Sequence, residues 1–476
     1  MSQGAGMNYR ALVGNAAIAF AAQGVSLAVS VTMSLLVPKV LGVATYGYWQ
    51  LFVFYAGYSG FFHLGLNDGV YLVEGGKTRN EIDKKLINSQ FRVALALQLV
   101  VGLAISLIGV FVADSSQRGF VMVAFALYTV MLNLSAYFGY VFQAMNETKL
   151  FSFMTVLERL AFLVPLLVMV MLKVGSFEPF VIAYLLARAC SLIYSFWKAR
   201  DFLSEGGLSV SESIKAAVAS IKVGFSLMAA NIASMLILGV ARAVVDAAWG
   251  IEVFGRVSFS LSMVNFFITF VVQASMVLFP ALRQGTAAEQ KSFYRGVRDM
   301  MEVVFPFIYL LYFPMVWALS LWLPQYADSM GYFALLLPVC VFDTKMDICC
   351  STYFKVLRKE RTLLKVNVAT VVASTILSMM GAFLLESVEA VLVGAVSAIV
   401  GRSLWSEHRL NKLMGISGSA VPAEEVLLTI SFVILALNEP VWAAVVTYAV
   451  LYVVYLIVNR QVARALFQSM VRVFRH

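Results

Sequence analysis

The sequence predicts an all-α, polytopic membrane protein with about 14 transmembrane helices, arranged as two parallel-repeat lobes of six helices followed by a C-terminal helix pair. Three observations support this fold class. The chain is 61% hydrophobic and 13% charged, with a mean hydropathy of +0.86 over 476 residues. Apolar runs long enough to cross a bilayer recur from end to end. A short polar elbow occurs twice, which indicates an internal duplication.

The repeated elbow relates the two halves of the chain. Each copy follows a long apolar run and contains Gly, Val or Ile, two variable residues, an aromatic residue and Gly. The copies are Gly42, Val43, Tyr46 and Gly47, and Gly250, Ile251, Phe254 and Gly255. Short basic turns at 146–149 and 358–361 form a second pair at a similar shift of about 208 residues. Because six spans separate corresponding helices, both halves should face the same way in the membrane.

Apolar windows place the helices, because a bilayer core needs about 20 apolar residues per helix. The predicted spans are 11–37, 45–66, 91–113, 120–143, 150–172, 177–197, 221–241, 254–280, 300–323, 330–353, 363–385, 388–406, 425–438 and 441–458. We expect an N-terminal lobe over 1–200, a C-terminal lobe over 201–420, and an accessory helix pair with an amphipathic tail on the inner leaflet over 421–476. The polar link 198–222 would join the lobes, and the cluster 65–69 would end the second span.

The distribution of positive charge predicts the orientation. With a cytoplasmic N-terminus, about 27 Lys and Arg residues fall on inner segments and about 5 on outer links. Both termini are therefore expected on the cytoplasmic side. An inner face beside anionic lipid accounts for the net charge of +9, so membrane lipids are expected partners and nucleic acid is not.

Ionisable residues deep inside spans are candidate functional residues, because a charge in hydrocarbon is costly. Glu158 and Arg159 lie in span five, and Arg188 lies in span six at a depth that allows it to pair with Glu158. This pair has two interpretations. It is either part of a functional site or a structural clasp between neighbouring helices.

Five further charged residues complete the candidate set. Span ten carries Asp343, Lys345 and Asp347, of which the two aspartates are predicted to share a helical face while Lys345 points elsewhere. Arg242 and Asp246 lie four residues apart at the end of span seven. There are two interpretations. Arg242 and Asp246 neutralise each other at an interface, or Arg242 is a cation at the mouth of a cavity.

No metal or cofactor site is predicted. The four cysteines fall within spans without metal-ligand spacing and are interpreted as small buried hydrophobic residues. The aromatic residues that crowd the second span, from Tyr46 to Phe62, either form a wall that stacks on sugar rings or belong to an interfacial belt and lipid-facing packing. His63 is interpreted as a packed or interfacial histidine rather than a proton relay.

Several segments together resemble a known family. These segments are AAQGVSLAVS in the first helix, the elbow VPKVLGVATYGYWQLF, the repeat VARAVVDAAWGIEVFGRVSFS and the exit VLFPALRQG. Together they resemble the polysaccharide transporter branch of the multidrug/oligosaccharidyl-lipid/polysaccharide (MOP) exporter superfamily, the branch that contains Wzx-type flippases. The resemblance covers roughly residues 10–410. It implies two six-helix lobes in a V shape in a bacterial cytoplasmic membrane. It also implies alternating access that carries an undecaprenyl-diphosphate-linked oligosaccharide from the inner to the outer leaflet.

In such transporters cationic residues of the cavity hold the diphosphate, and the resemblance makes Arg159, Arg188, Lys345 and Arg242 the candidates here. Glu158, Asp246, Asp343 and Asp347 would then be coupling or structural partners. A polysaccharide polymerase or glycosyltransferases of the same pathway are implied as candidate protein partners. Fourteen spans exceed the twelve that are usual for O-antigen flippases, whereas lipid II flippases have fourteen, so the substrate branch stays open.

Two other function classes compete with a flippase. A cation-coupled multidrug or small-solute exporter would share the fold, but exporters of that kind can use an acidic residue in the first helix, where this sequence has Asn15 and Gln23. A membrane glycan polymerase or glycosyltransferase would need catalytic residues on a sizeable outer loop. The outer links here are short, so the sequence favours a transporter over an enzyme.

Overall fold

The computed structural model describes residues 28–276, 287–357, 359–416 and 423–460. Their regular elements are all helical, which confirms the predicted all-α class. The chain divides into two compact units, one up to Ala229 and one from Ala230 onward. Most of the first predicted span and nearly all of the amphipathic tail lie outside the described residues.

The first unit contains six complete helices and the beginning of a seventh. They are α1 (Val43–Gly57), α2 (Leu66–Glu74), α3 (Lys84–Phe111), α4 (Ser116–Ala144), α5 (Thr148–Met171), α6 (Glu178–Lys198) and α7 (Val210–Met276), which continues into the second unit. The second unit adds α8 (Ala287–Val304), α9 (Ile308–Trp322), α10 (Ser329–Lys345), α11 (Glu360–Phe383), α12 (Val388–Leu413), α13 (Ala423–Asn438) and α14 (Val441–Val458). A π-helical turn, Met346–Ser351, extends α10.

The chain is a multi-pass membrane protein. Within the described residues, nine helices are long and apolar enough to cross a bilayer. One of the nine, Val210–Thr269, is 60 residues long and contains the seventh predicted span and the first part of the eighth. Large apolar side chains such as Leu99, Val100 and Leu103 are exposed along helix surfaces, as contact with lipid requires. The total of about 14 spans stays a prediction.

Both copies of the elbow interrupt a helix at the first glycine of the motif. Gly42 adopts φ −64° and ψ 166°, and α1 begins at Val43. Gly250 adopts φ 76° and ψ −172° inside α7, with helical residues on both sides. The repeat therefore specifies a break at one position in each half, although only Gly250 uses a left-handed φ.

The seventh span differs from the sequence prediction. The polar link expected after residue 241 is helical, and α7 continues through Arg242 and Asp246 as far as the break at Gly250. Charged residues at a helix end remain compatible with helix, so polarity alone misplaced the boundary. The break occurs where glycine permits it.

The second span is broken rather than ended by its glycine cluster. After α1 comes a 3-10 turn, Ser59–His63, and then Leu64 and Gly65 adopt left-handed φ values of 54° and 89°. The new helix α2 starts at Leu66, so the expectation that residues 65–69 end a helix was wrong. The glycines here serve a second role, which is close helix packing.

Backbones of α2 and the start of α7 cross at very short range. A Cβ added to Gly69 would lie 1.9 Å from the backbone oxygen of Ser220, and one added to Gly224 would lie 2.1 Å from that of Gly65. Gly65 and Gly69, and Ser220 and Gly224, each form a small-xxx-small pair, the spacing that lets membrane helices pack closely. This crossing holds the beginning of α7 against the first unit.

Candidate functional site

A cavity of about 530 Å³ lies within the first unit. It is lined by side chains of α4, α5 and α6, by the 3-10 turn at His63, and by Val29, Ser30 and Met33. Three of its lining residues are charged, namely Glu158, Arg159 and Arg188. The structure thus brings together the three charged residues that the sequence placed in spans five and six.

Two helices present matching stripes to this cavity. The lining residues from α5 include Thr155, Glu158, Arg159 and Phe162, and those from α6 are Tyr184, Ala187, Arg188 and Ser191. Each set follows the spacing i, i+3, i+4, i+7, which defines one face of a helix. The uncharged polar residues on these two helix faces, Thr155, Tyr184 and Ser191, were not among the candidate residues, although their spacing from Glu158 and Arg188 was visible in the sequence.

Arg188 is held by two helices, which confirms that Glu158 and Arg188 can pair. Its Nη2 lies 2.5 Å from Glu158 Oε1 and also donates to the hydroxyl of Tyr128 at 3.2 Å. The guanidinium carbon lies 5.3 Å from the centre of the Tyr128 ring, within cation–π range. Arg188 Nε is buried and has no hydrogen-bond partner among the described residues. The guanidinium therefore keeps a buried donor available.

Arg159 differs from Arg188 in its surroundings. It lines the same cavity and is only partly buried. Among the described residues, none forms an ion pair or hydrogen bond with its guanidinium. With one carboxylate for two guanidinium groups, the charged wall of the cavity carries an excess of one positive charge.

Neutral polar groups line other parts of the cavity. Asn133, Ser135, Tyr140 and His63 all contribute to its walls. Asn133 is 2% exposed, and its Oδ1 lacks a partner within the described residues. The cavity can therefore satisfy an anionic group at the guanidinium side and hydroxyl or amide groups elsewhere.

Asn133 also stabilises the broken second span. Its Nδ2 donates to the carbonyl of Ser59 at 2.9 Å and to Gln98 Oε1 at 2.9 Å, and Gln98 Nε2 donates to the carbonyl of Phe62 at 2.8 Å. These side chains satisfy carbonyls that a continuous helix would have paired. His63 fits the same pattern, because its Nδ1 accepts from the backbone N–H of Gly65 at 3.0 Å.

The aromatic residues of α1 pack behind the cavity wall. Trp49 and Phe52 are fully buried. The Trp49 ring lies 6.0 Å from that of Tyr184 and 6.2 Å from that of Phe162, and Phe52 lies 5.7 Å from Tyr184. Trp49 and Phe52 therefore do not line the cavity, and they are not lipid-facing as the packing alternative expected, because both are buried against cavity-lining residues.

Arg242 lies in the second unit. Its Nη2 donates to Ser258 Oγ at 2.9 Å, and its guanidinium carbon lies 5.0 Å from the centre of the Phe254 ring. Ser258 and Phe254 follow the break at Gly250, so Arg242 links the two arms of α7. Asp246 lies one turn further along the first arm.

The charges of span ten also lie in the second unit. Lys345 is 1% exposed and its Nζ lies 2.9 Å from Glu425 Oε2, 3.0 Å from Glu407 Oε2 and 3.7 Å from Glu302 Oε1. Asp343 pairs with the buried Arg402. These partners come from other helices, so no local pattern in the sequence indicated them.

The expected geometry of span ten changes at the π-helical turn. A π-helical turn has a wider hydrogen-bond spacing than an α-helix. Because the turn begins at Met346, Asp343 and Asp347 do not follow the simple i, i+4 relation of one α-helix. Asp347 lies beside Ser351, whose Oγ is 3.5 Å from Asp347 Oδ1.

The fold of the chain is similar to the folds of solved transporters of the MOP superfamily. It is similar to the lipid II flippase MurJ in an inward closed conformation, with a TM-score of 0.62 and 11% identity over 94% of this chain and 99% of that one. It is also similar to an inward-facing multidrug resistance MATE family transporter, with a TM-score of 0.57 and 12% identity over 83% of this chain and 96% of that one.

A third similar structure is a MOP superfamily transporter from Pyrococcus furiosus, described by a reversed polarity of its binding pocket. The TM-score is 0.50, with 12% identity over 83% of this chain and 94% of that one. No protein-family model matches the sequence, and no curated protein matches it either. At these identities the similarity establishes the fold, and the substrate must be argued from the chain's own residues.

Proposed function

We propose that this protein is a flippase that moves a lipid-linked glycan with an anionic headgroup, of the undecaprenyl-diphosphate class, from the inner to the outer leaflet of a bacterial cytoplasmic membrane. The observation that carries the proposal is the cavity of the first unit, where Arg159 and Arg188 outnumber the single carboxylate of Glu158. Both termini are placed on the cytoplasmic side by the distribution of positive charge in the sequence.

The chemistry of the cavity fits such a headgroup. Guanidinium groups match the oxygens of a phosphate and lower the cost of moving its charge through hydrocarbon. Asn133, Ser135 and Tyr140 offer hydrogen bonds to sugar hydroxyl or amide groups. Among the described residues the cavity holds one carboxylate, so a cationic drug would meet two like charges for each opposite one.

A flipping assay tests the proposal directly. The protein is reconstituted in liposomes that contain a fluorescent polyprenyl-diphosphate saccharide, and the fraction that becomes accessible to a membrane-impermeant quencher is followed over time. Arg159→Gln and Arg188→Gln should each slow flipping about tenfold to a hundredfold, since a hydrogen bond to a charged group contributes about 1.5–3 kcal/mol. Arg188→Lys should also slow it, because an ammonium lacks the guanidinium's two-pronged geometry.

Arg256→Gln provides the matched control, because Arg256 forms an ion pair with Asp328 in the second unit and does not line the cavity. It should flip the lipid at the wild-type rate. Wild-type rates for both cavity variants, with normal protein levels, would contradict the site. Export of a cationic dye that depends on Glu158, without flipping of the lipid, would instead favour the multidrug alternative.

A further inference from the structure

A second group of buried charges, in the second unit, takes no part in the cavity. It consists of Lys345 on α10, Arg298 and Glu302 on α8, Glu407 on α12, and Glu425 on α13. Four helices therefore contribute to one cluster, which we call the Lys345 cluster. One of these helices, α13, belongs to the C-terminal helix pair.

The cluster has more acidic than basic groups. Glu425 and Glu407 are 1% and 4% exposed, and Glu302 is partly buried, so three carboxylates face two cations. Arg298 also forms an ion pair with Asp299 at 2.7 Å. About a third of the Asp299 side chain is exposed, so this carboxylate is solvated. Arg298 therefore neutralises the buried carboxylates incompletely, lying 3.5 Å from Glu302 and 3.9 Å from Glu407.

An uncompensated buried negative charge is costly, and a protein relieves it by binding a positive charge. Polar atoms of the cluster have unused capacity in the described part of the chain. Glu425 Oε1 is buried without a hydrogen-bond partner, although Glu425 Oε2 accepts from Lys345. Asn411 lies one turn beyond Glu407 on α12, and both of its side-chain polar atoms are buried without hydrogen-bond partners in the described part of the chain. Its side-chain oxygen can therefore accept a hydrogen bond from a carboxyl group that has gained a proton.

We propose that the Lys345 cluster is a binding site for one proton, shared among Glu302, Glu407 and Glu425, which fastens α13 and with it the C-terminal helix pair to the second unit. With one proton bound, two carboxylates face two cations and the cluster is neutral. The proton belongs to the set of three, as in other strongly interacting carboxylates. Loss of the proton leaves a buried negative charge between α13 and the helices it packs on.

Other titratable or charged groups surround the cluster. They are Tyr294 and Asp299 of α8, Tyr309 of α9, Cys349 and Cys350 of the π-helical turn, Arg402 of α12, Glu424 of α13, and Tyr455 of α14. Tyr455 donates its hydroxyl to the backbone carbonyl of Glu302 at 2.9 Å, so it is not a free proton acceptor. The site does not depend on which substrate the first unit binds.

Infrared difference spectroscopy of the full-length protein tests this site, because a protonated carboxylic acid absorbs apart from a carboxylate. At neutral pH, wild type should show a carboxylic-acid band that Glu302→Gln, Glu407→Gln and Glu425→Gln each remove, since each variant leaves two carboxylates with two cations. Glu424→Gln is the matched control. Its carboxylate neighbours Glu425 in sequence but is exposed and bonded to Asn459, so the band should persist.

Removing a cation should have the opposite effect. Lys345→Gln leaves three carboxylates with Arg298 alone, so the cluster should bind a second proton and the band should roughly double. Heat stability gives an independent readout. Because the folded protein binds the proton, wild type should lose stability as pH rises through the cluster's titration, with an unfolding constant that increases up to about tenfold per pH unit. Glu425→Gln should remove this dependence.

The proposal is overturned if Glu425→Gln and Glu424→Gln give the same spectrum and the same pH dependence. It is equally overturned if wild type shows no such band and its stability depends on sodium, since a metal cation would then balance the charge. If Glu425→Gln fails to fold, Glu302→Gln, Glu407→Gln and the pH titration of the wild-type band decide the question.

Discussion

The close crossing of α2 and α7 makes Gly69 the position where one methyl group should matter most. In Gly69→Ala the new Cβ would lie 1.9 Å from the backbone oxygen of Ser220. Carbon–oxygen contacts need about 3.3 Å, so the two helices must separate by about 1.4 Å at this point. The obstacle is backbone, which cannot rotate away as a side chain would.

The magnitude follows from two opposing effects. Overpacking costs about 1–3 kcal/mol, and a backbone obstacle favours the upper end. Replacing glycine by alanine inside a helix gains up to about 1 kcal/mol. The net loss is therefore about 2 kcal/mol, which for a unit of this size lowers the melting temperature by about 4–8 °C.

Thermal unfolding in detergent, followed by fluorescence-detected gel filtration, measures this loss. Gly401→Ala is the matched control, because Gly401 also lies inside a membrane helix, α12, and a Cβ there meets no atom within 4 Å. It should leave the melting temperature unchanged or slightly raised. Equal melting temperatures for Gly69→Ala and Gly401→Ala would refute the argument that the crossing requires glycine.

Three further predictions concern the helix breaks at Gly42 and Gly250 and the polar surface of the first unit. Gly250→Ala should cost about 1–2 kcal/mol in a thermal unfolding assay because of its φ of 76°, whereas Gly42→Ala at the matching elbow, with φ −64°, should be near neutral; equal costs would contradict the difference between the elbows. Arg79 bridges Glu147 and Asp201 at 2.7 and 2.8 Å, so Arg79→Ala should shorten the half-life of the heated protein severalfold. Burial acts to raise the pKa of Asp201, but Lys84 and Arg79 hold it below the usual value of 3.8. Its stabilising contribution is therefore present above pH 3.8 and lost as pH falls through the folded-state pKa, and an acid-denaturation curve of Asp201→Asn should be flatter than that of wild type.

Sequence periodicity and composition predicted the features that depend on local chemistry. A helix boundary at each elbow glycine follows from the residues themselves, because Gly42 and Gly250 are where the chain can turn. The pairing of Glu158 with Arg188 was predictable because two neighbouring spans and one short turn fix their relative depth. These inferences needed no knowledge of distant parts of the chain.

Partners from distant helices were beyond the sequence. Lys345 contacts Glu425, which lies 80 residues later in the chain, and Arg402 pairs with Asp343 across 59 residues. No periodicity relates such positions, because long-range register is set by packing and not by local spacing. The same holds for Gly69, whose glycine signal predicted a helix end but serves a helix crossing with Ser220.

The two units share an internal repeat but differ in how they use buried charge. In the first unit Arg159 and Arg188 line a cavity and are opposed by one carboxylate. An external anion can therefore enter the cavity and neutralise the excess positive charge. In the second unit Lys345 is enclosed by carboxylates of the protein, which leaves no space for a phosphate. The remaining negative charge there can be neutralised only by a cation as small as a proton. If duplication produced the halves, the chemistry has since diverged while the elbows persisted. Substrate recognition and proton binding would then be separable by mutation, with the Arg159 and Arg188 variants slowing flipping at every pH and the Glu425 variant changing only the pH dependence of stability.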